Sequence, residues 1–386
     1  MSMLYLDNAA TTPVRPEVLE AMMPYLTRWY GNPSSHHTVG EAAADALADA
    51  RSRVARVLGL RAGDIVFTSG GTEANNLAIK GIAIAAAQRR EGGHVHVITT
   101  PIEHESVLES VAYLERVHGF AATLVPVDEH ARVSTDAVAR SLRDHTALVS
   151  IGYANNEVGT IQDAPALAAV LRERRVAFHL DGVQAAGWLP LSAEDLGYDA
   201  ISLAGHKIGA PKGTGVLGVR GRIPLEPLMH GGGQERGRRS GTEDVAGAVG
   251  FATALELAES ERVEASERVS AIRDRFIARV LERVPSARLT GDPVRRLAGT
   301  ASFTFAGTSG EAVLLELERR GVVSSSGSAC AAGSDEPSHV LVAMGIAPAL
   351  AQTAVRFTFP RRLNASLDAV ADAVEASVAA VSGPGR

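Results

Sequence analysis

Asp181 closes the apolar run VAFHL, and Lys207 stands 26 residues later in AGHK, just past the run DAISLAG. Both runs have strand character, so both residues are expected at carboxyl ends of strands, where open α/β sheets bind their ligands. The segment between them is long enough for a crossover. A carboxylate and an amine so placed are what pyridoxal phosphate (PLP) requires. The amine condenses with its aldehyde, and the carboxylate pairs with the protonated pyridine nitrogen and keeps the ring an electron sink. The lysine carries extra weight, because Lys80, Lys207 and Lys212 are the only three lysines against 35 arginines. That bias fits GC-rich codon usage, and a lysine retained against it more often serves as an amine that can lose its proton. On spacing alone, a helix-capping Asp181 and a surface amine at Lys207 remain open.

Other segments carry weaker signals. SGGTEANN, from Ser69 to Asn76, follows a strand pattern and opens a helical one. The backbone N–H groups of Gly71 and Thr72, the Thr72 hydroxyl and the helix dipole would bind a phosphate there. An ordinary threonine cap with Glu73 in the first turn reads equally well. His104 follows a third strand pattern, HVHVITT, and could stack on a cofactor ring, although a histidine so placed is more often structural. The one cysteine, Cys330, lies in SSSGSACAAGSDEPS. Buried, a lone cysteine is an inert small hydrophobe; in a loop of small residues it is a candidate nucleophile. Four motifs mislead. GTGVLG (Gly213 to Gly218) leads into a strand and not a helix, so it is no dinucleotide fingerprint. His230 and the three glycines after it lack the GxSxG that a hydrolase needs. His94 and His96 are expected on one strand face, with no acidic or histidine cluster to complete a metal site, and His36-His37 likewise lacks one.

The elements that must position these residues alternate. Strand patterns at Asp64–Ser69, His94–Thr100, Ala122–Val127, Ala147–Ala154, Val176–Asp181 and Asp199–Gly205 are separated by helical ones. This predicts a mostly parallel sheet with helices on both faces. Gly213–Arg220 follows a short turn and is expected to run antiparallel. A long helical stretch from about Val245 to Val284 leads into a second, smaller α/β pattern, with the lobe boundary expected near residue 255. The 386 residues, 46% apolar and 21% charged with net charge −6, support a core and argue against a general nucleic-acid or anionic-membrane binder. One cysteine allows no intramolecular disulfide. The start lacks a basic-then-apolar signal, and no apolar run approaches the ~20 residues of a membrane helix. The expectation is a soluble cytoplasmic protein.

Together the motifs resemble the cysteine desulfurases of the NifS/IscS type, in the class V aminotransferase branch of the fold-type-I PLP enzymes. The matching stretches are YLDNAATTPV (Tyr5 to Val14), GNPSSHH (Gly31 to His37), IVFTSGGTEANNLAIKG (Ile65 to Gly81), EHESVL (Glu103 to Leu108) and ANNEVGTIQ (Ala154 to Gln162). HLDGVQ (His179 to Gln184), GHKIGAPKG (Gly205 to Gly213), HGGGQERGRRSGT (His230 to Thr242), SSGSACAAGSDEPSHVL (Ser325 to Leu341) and VRF (Val355 to Phe357) continue in the family's order. The SSGSAC context is similar to the long-loop group rather than the short-loop group typified by SufS.

The resemblance implies a large PLP-binding domain over 15–255. A small domain of 1–14 and 256–386 would carry the catalytic-cysteine loop at about 324–337. It implies Lys207 as Schiff-base lysine and proton shuttle, Asp181 at the pyridine nitrogen, Gln184 at the ring hydroxyl and His104 stacked on the ring. Gly71, Thr72 and His206 would hold the phosphate, with Thr242 reaching in from a second subunit. Asn156 and Arg356 would bind the substrate carboxylate. Cys330 would take sulfur from L-cysteine as a persulfide and release L-alanine. The implied partners are a second copy of the chain and sulfur acceptors such as an iron–sulfur scaffold or a tRNA-thiolating enzyme, with no membrane and no direct nucleic-acid binding. No metal is implied. Selenocysteine lyase and class V aminotransferase activities are the alternatives, and a catalytically idle sulfur-transfer scaffold is a third. Ala204 departs from the family's usual Ser or Thr two residues before the phosphate histidine, which implies a weaker phosphate contact. Gly182-Val183 replaces the common Ala-Thr after the aspartate, which implies altered ring packing.

Overall fold

A computed structural model describes residues 3–90, 93–327 and 336–382; Cys330 and the centre of its loop lie outside the described residues. The strands are β1 (Leu4–Tyr5), β2 (Ile65–Thr68), β3 (His96–Thr99), β4 (Ala121–Leu124), β5 (Thr146–Gly152) and β6 (Ala177–Asp181). They continue as β7 (Ala200–Ala204), β8 (Gly215–Val219), β9 (Ala287–Leu289), β10 (Thr300–Phe305), β11 (Val322–Val323) and β12 (Ala354–Thr358). Seven form one sheet in the order β2-β8-β7-β6-β5-β3-β4. All neighbours are parallel except those of β8, which runs antiparallel to both β2 and β7. The central strands are apolar runs buried on both faces, as a parallel sheet covered by helices demands.

The covering helices are α1 (Pro16–Thr27), α2 (Thr38–Leu58), α3 (Gly71–Gln88), α4 (Glu105–His118), α5 (Thr135–Ser141), α6 (Ala164–Glu173) and α7 (Ala193–Leu196). The 39-residue α8 (Val245–Arg283) follows, then α9 (Gly310–Arg319), α10 (His339–Ala343), α11 (Pro348–Ala351) and α12 (Asp368–Val381). Most start on a residue whose side chain accepts a free N–H: Ser134, Asp163, Ser192, Asp244, Ser309 and Ser338 all do so. Helix α3 is an exception, because its N-cap is Gly70 and no side chain caps it.

Two cores meet along α8. Its first half, through Ala258, packs with α2, β5 and β6 in the larger core. Its second half, from Val269, packs with β10, β12 and α12 around Phe276, whose ring meets Phe357 edge-on at 5.2 Å between centroids. The smaller lobe holds the antiparallel sheet β12-β10-β9, and the short parallel pair β1-β11 brings the amino terminus beside it.

One sequence expectation needs correction. His94 precedes β3 and is exposed, whereas His96 is fully buried between the Thr146 and Thr123 hydroxyls. The pair therefore shares no open face. Helix α1 was absent from the sequence reading. Among the described residues no helix is long and apolar enough to cross a membrane.

Candidate active site

The carboxyl ends of β3, β5, β6 and β7 open into a cavity of about 770 Å³. Asp181 ends β6, and β7 ends at Ala204 and turns through Gly205–Lys207, so Lys207 follows the neighbouring strand. Both line the cavity, with Gln184 and His206. Asp181 is largely buried; its Oδ1 accepts the Val183 N–H at 3.0 Å and its Oδ2 accepts from Asn75 Nδ2 at 2.7 Å. Lys207 Nζ donates to the carbonyls of Ala9 and Ala10, the latter at 2.8 Å, and Gln184 Nε2 donates to Ala9 at 3.1 Å. The YLDNAATTPV segment is thus folded against the lysine. His206 Nδ1 lies 3.2 Å from the Thr11 hydroxyl. Burial, with the charges of Lys207 and Lys212, pushes His206 down to about 4, so it is neutral at pH 7.

Helix α3 opens onto the same space. Gly71 and Thr72 line the cavity at its first turn. A Cβ at Gly71 would stand 2.8 Å from Val183 Cγ2 and 3.3 Å from the Ala204 methyl, so glycine lets the Val183 side chain and the end of β7 approach this closely. His104 caps α4; its Nδ1 accepts the Ser106 N–H at 3.0 Å. Asn156 and Arg356 form the far wall. Arg356 is nearly fully buried, on β12. Its guanidinium donates to the carbonyls of Asn156 (2.7 Å) and Gly327 (3.2 Å) and to Asp7 Oδ1 (2.7 Å), while its Nε has no partner.

Nine of the residues singled out from the sequence therefore share one cavity. Thr242 does not. It is exposed, beside a separate cavity of about 180 Å³ near Glu235 and Arg239. The residues present fit PLP. An eighteen-residue helix presents an N-terminus with no side-chain cap, glycine opens its first turn, and a buried carboxylate and an amine stand at adjacent strand ends.

Residues 4–365 match the family described as aminotransferase class-V. The chain belongs to this family. A cysteine desulfurase IscS from Methanosarcina thermophila is 45% identical over 365 residues, which cover 95% of this chain and 89% of that protein. Another from Dictyoglomus turgidum is 43% identical over 377 residues, covering 96% and 94%. Among solved structures, a NifS-like protein superposes with a TM-score of 0.88 at 35% identity, covering 97% of this chain and 98% of that one. SspA in complex with cysteine superposes with a TM-score of 0.81 at 35% identity, covering 92% and 99%. The resemblance read from the motifs holds over nearly the whole chain.

This class-V family member also places residues in the cavity wall that the sequence reading passed over. Asn75 bridges Asp181 and Ser106. Glu103 is buried, and burial, reinforced by the Asp181 charge, pushes its carboxyl up to about 8. Glu157 is likewise raised by burial and accepts the Ser338 hydroxyl at 2.5 Å. All three lay inside quoted motifs, but their partners are supplied by the tertiary fold.

Proposed function

We propose that this chain is a PLP-dependent cysteine desulfurase that removes sulfur from L-cysteine, giving L-alanine and a persulfide on Cys330. The observation that carries this reading is the meeting of Asp181, Lys207, the uncapped start of α3 and Arg356 around one cavity. The named relatives support it. Lys207 would hold the cofactor, Asp181 would face its pyridine nitrogen, Gln184 its ring hydroxyl, and Gly71, Thr72 and His206 its phosphate. When bound, PLP supplies an electrophilic aldehyde carbon and a ring that withdraws electrons from the substrate.

Arg356 and Asn156 orient the carboxylate of L-cysteine. Asp7 holds one edge of the guanidinium and fixes its plane. Lys207 Nζ leaves the carbonyls of Ala9 and Ala10 to move the substrate α-proton. The Cys330 thiolate attacks the substrate sulfur. An S–S bond forms, the substrate C–S bond breaks, and its electron pair is protonated at carbon. Thiol plus L-cysteine thus becomes persulfide plus L-alanine. A second thiol, or an acceptor such as an iron–sulfur scaffold or tRNA-thiolating enzyme, then takes the outer sulfur. A lone nucleophilic cysteine needs a reducing compartment, which fits the cytoplasm.

The reading includes a homodimer in which Thr242 completes the partner's phosphate site. Two features support it: Thr242 is exposed away from its own cavity, and α1 with the turn after it exposes Leu19, Met23, Leu26 and Tyr30 at helical spacing. The division into 15–255 and 1–14 with 256–386 is supported by the two cores that meet along α8.

Turnover of L-cysteine by the PLP-loaded protein with a reductant, beside Cys330→Ser, tests the proposal. Equal alanine and sulfide are expected, both lost in the variant while cofactor absorbance persists. Transamination of keto acids without alanine release, or activity indifferent to Cys330, would overturn it.

A further inference from the structure

The carboxylate of Asp181 and the imidazole of His104 belong to different elements, at the end of β6 and the start of α4. The structure joins them through two side chains. Asn75, one turn into α3 and 2% exposed, directs both hydrogens of Nδ2 outward along this line: one to Asp181 Oδ2 at 2.7 Å, the other to Ser106 Oγ at 2.9 Å. Ser106 Oγ in turn lies 2.8 Å from His104 Nδ1.

The direction of every bond in this line is determined. A carboxylate only accepts, so the Asn75 amide must face Asp181 with its nitrogen. The reverse orientation would set Oδ1 against the carboxylate. The cost of the orientation is visible, because Asn75 Oδ1 is buried without a partner. Ser106 Oγ, already accepting from Asn75, has its own hydrogen free to point at His104. That nitrogen also accepts the Ser106 backbone N–H at 3.0 Å. Nδ1 therefore carries a lone pair, and the ring proton resides on Nε2. Two donors converge on Nδ1, and one of them is oriented by Asp181 at the other end of the line.

We infer that Asn75 and Ser106 are positioning residues that couple Asp181 to His104, so that the charge on the carboxylate sets the hydrogen bonding of the imidazole. The functional weight of this coupling rests on the desulfurase reading, in which Asp181 and His104 both face the cofactor ring. Loss of charge at Asp181 frees the Asn75 amide to reverse. Its Oδ1 then accepts the Ser106 hydroxyl, and His104 Nδ1 loses one of its two donors. The donor strength of Nε2–H thereby follows the state of Asp181.

Histidine-labelled 15N spectra of the full chain, recorded before PLP is added, test the relay without recourse to turnover. The His104 signal is assigned by its loss in His104→Gln. A pyrrole-like Nε2 and a pyridine-like Nδ1 are expected. Asp181→Asn should shift the Nδ1 resonance in the otherwise native chain and leave it unmoved in the Asn75→Leu and Ser106→Ala backgrounds. An equal shift in all three backgrounds would mean a direct field and overturn the relay, as would no shift in any. Should Asn75→Leu fail to fold, Ser106→Ala carries the same comparison alone. Failure of the desulfurase reading would appear in products and leave these nitrogen shifts unchanged.

Discussion

At the scale of single residues, Glu103 is a carboxyl group with little water to ionise into. Its Oε1 accepts the Thr100 hydroxyl at 2.6 Å and its Oε2 the Gly152 N–H at 2.7 Å. Burial still dominates and lifts it to about 8 from an ordinary 4.5. Below 4.5 both the folded and unfolded chains hold this proton. Between 4.5 and 8 the unfolded chain releases it and the folded chain keeps it, so stability falls as pH rises through that window. Glu103→Gln keeps an acceptor for Gly152 and removes the ionisation. Denaturant melts at pH 5 and pH 8 should show the variant gaining on the native protein as pH rises; equal differences at both values would place the ionisation elsewhere. Much of the site was legible in the sequence, because Asp181, Lys207 and Thr72 sit where a strand pattern stops or a helix begins. Asn75 was not, since its partners Ser106 and Asp181 lie 31 and 106 positions away and only the packed sheet brings them together. The anchor of Arg356 was not legible either, since Asp7, which takes one edge of its guanidinium, stands 349 positions earlier.

At the scale of elements, the segment HGGGQERGRRSGT is held by side chains rather than by regular structure. Glu235 and Arg236 both adopt left-handed backbone, at φ of 48° and 59°, which residues with a Cβ rarely do. The anchor is Arg51 on α2, which pairs bidentately with Glu235 at 2.6 and 2.8 Å with both side chains buried. The same carboxylate accepts the Phe67 N–H of β2 at 3.2 Å, and Arg239 reaches Glu73 in the first turn of α3 at 2.9 Å. Removing one partner of a buried ion pair leaves the other charge unpaired and costs about 3–5 kcal/mol. Glu235→Ala should therefore lower unfolding free energy by about that much, with Glu235→Gln losing less because its amide still bonds. A loss in the Ala variant no larger than that of an exposed substitution would show the pair to be solvated. The glycines after His230 mark this segment as a loop, but nothing in the sequence points to its anchor, since Arg51 is one more charge on an amphipathic helix. Helix α1 escaped for the opposite reason. It buries Val18 and Met22 but exposes Leu19, Met23 and Leu26, so its apolar residues form no single stripe, and Pro24 interrupts its pattern.

At the scale of the whole molecule, the proposed homodimer turns on whether Thr242 completes the site of its own chain or that of a second copy. The anchors of its loop fix that loop to its own chain's α2, β2 and α3, yet Thr242 itself stands exposed and outside the cavity that holds Lys207. In a two-fold symmetric dimer every contact across the interface occurs twice, so a threonine that reaches the second copy's site is matched by one reaching back. Hybrid dimers separate the two cases. Lys207→Ala removes the amine, and on the proposed reading Thr242→Ala weakens the phosphate site, each in both halves of its own homodimer. When the two variants are co-expressed with different tags and the mixed dimer is isolated, the chain bearing Thr242→Ala still has Lys207, and its partner still has Thr242. If Thr242 serves the other subunit, one of the two sites in the hybrid is wholly native. L-cysteine turnover should then recover to about half that of the native dimer, well above either parent. If Thr242 serves its own chain, the hybrid contains no native site, and turnover stays at the mean of the two parents. PLP retained after gel filtration should follow the same division, because the phosphate contact acts on binding before it acts on rate.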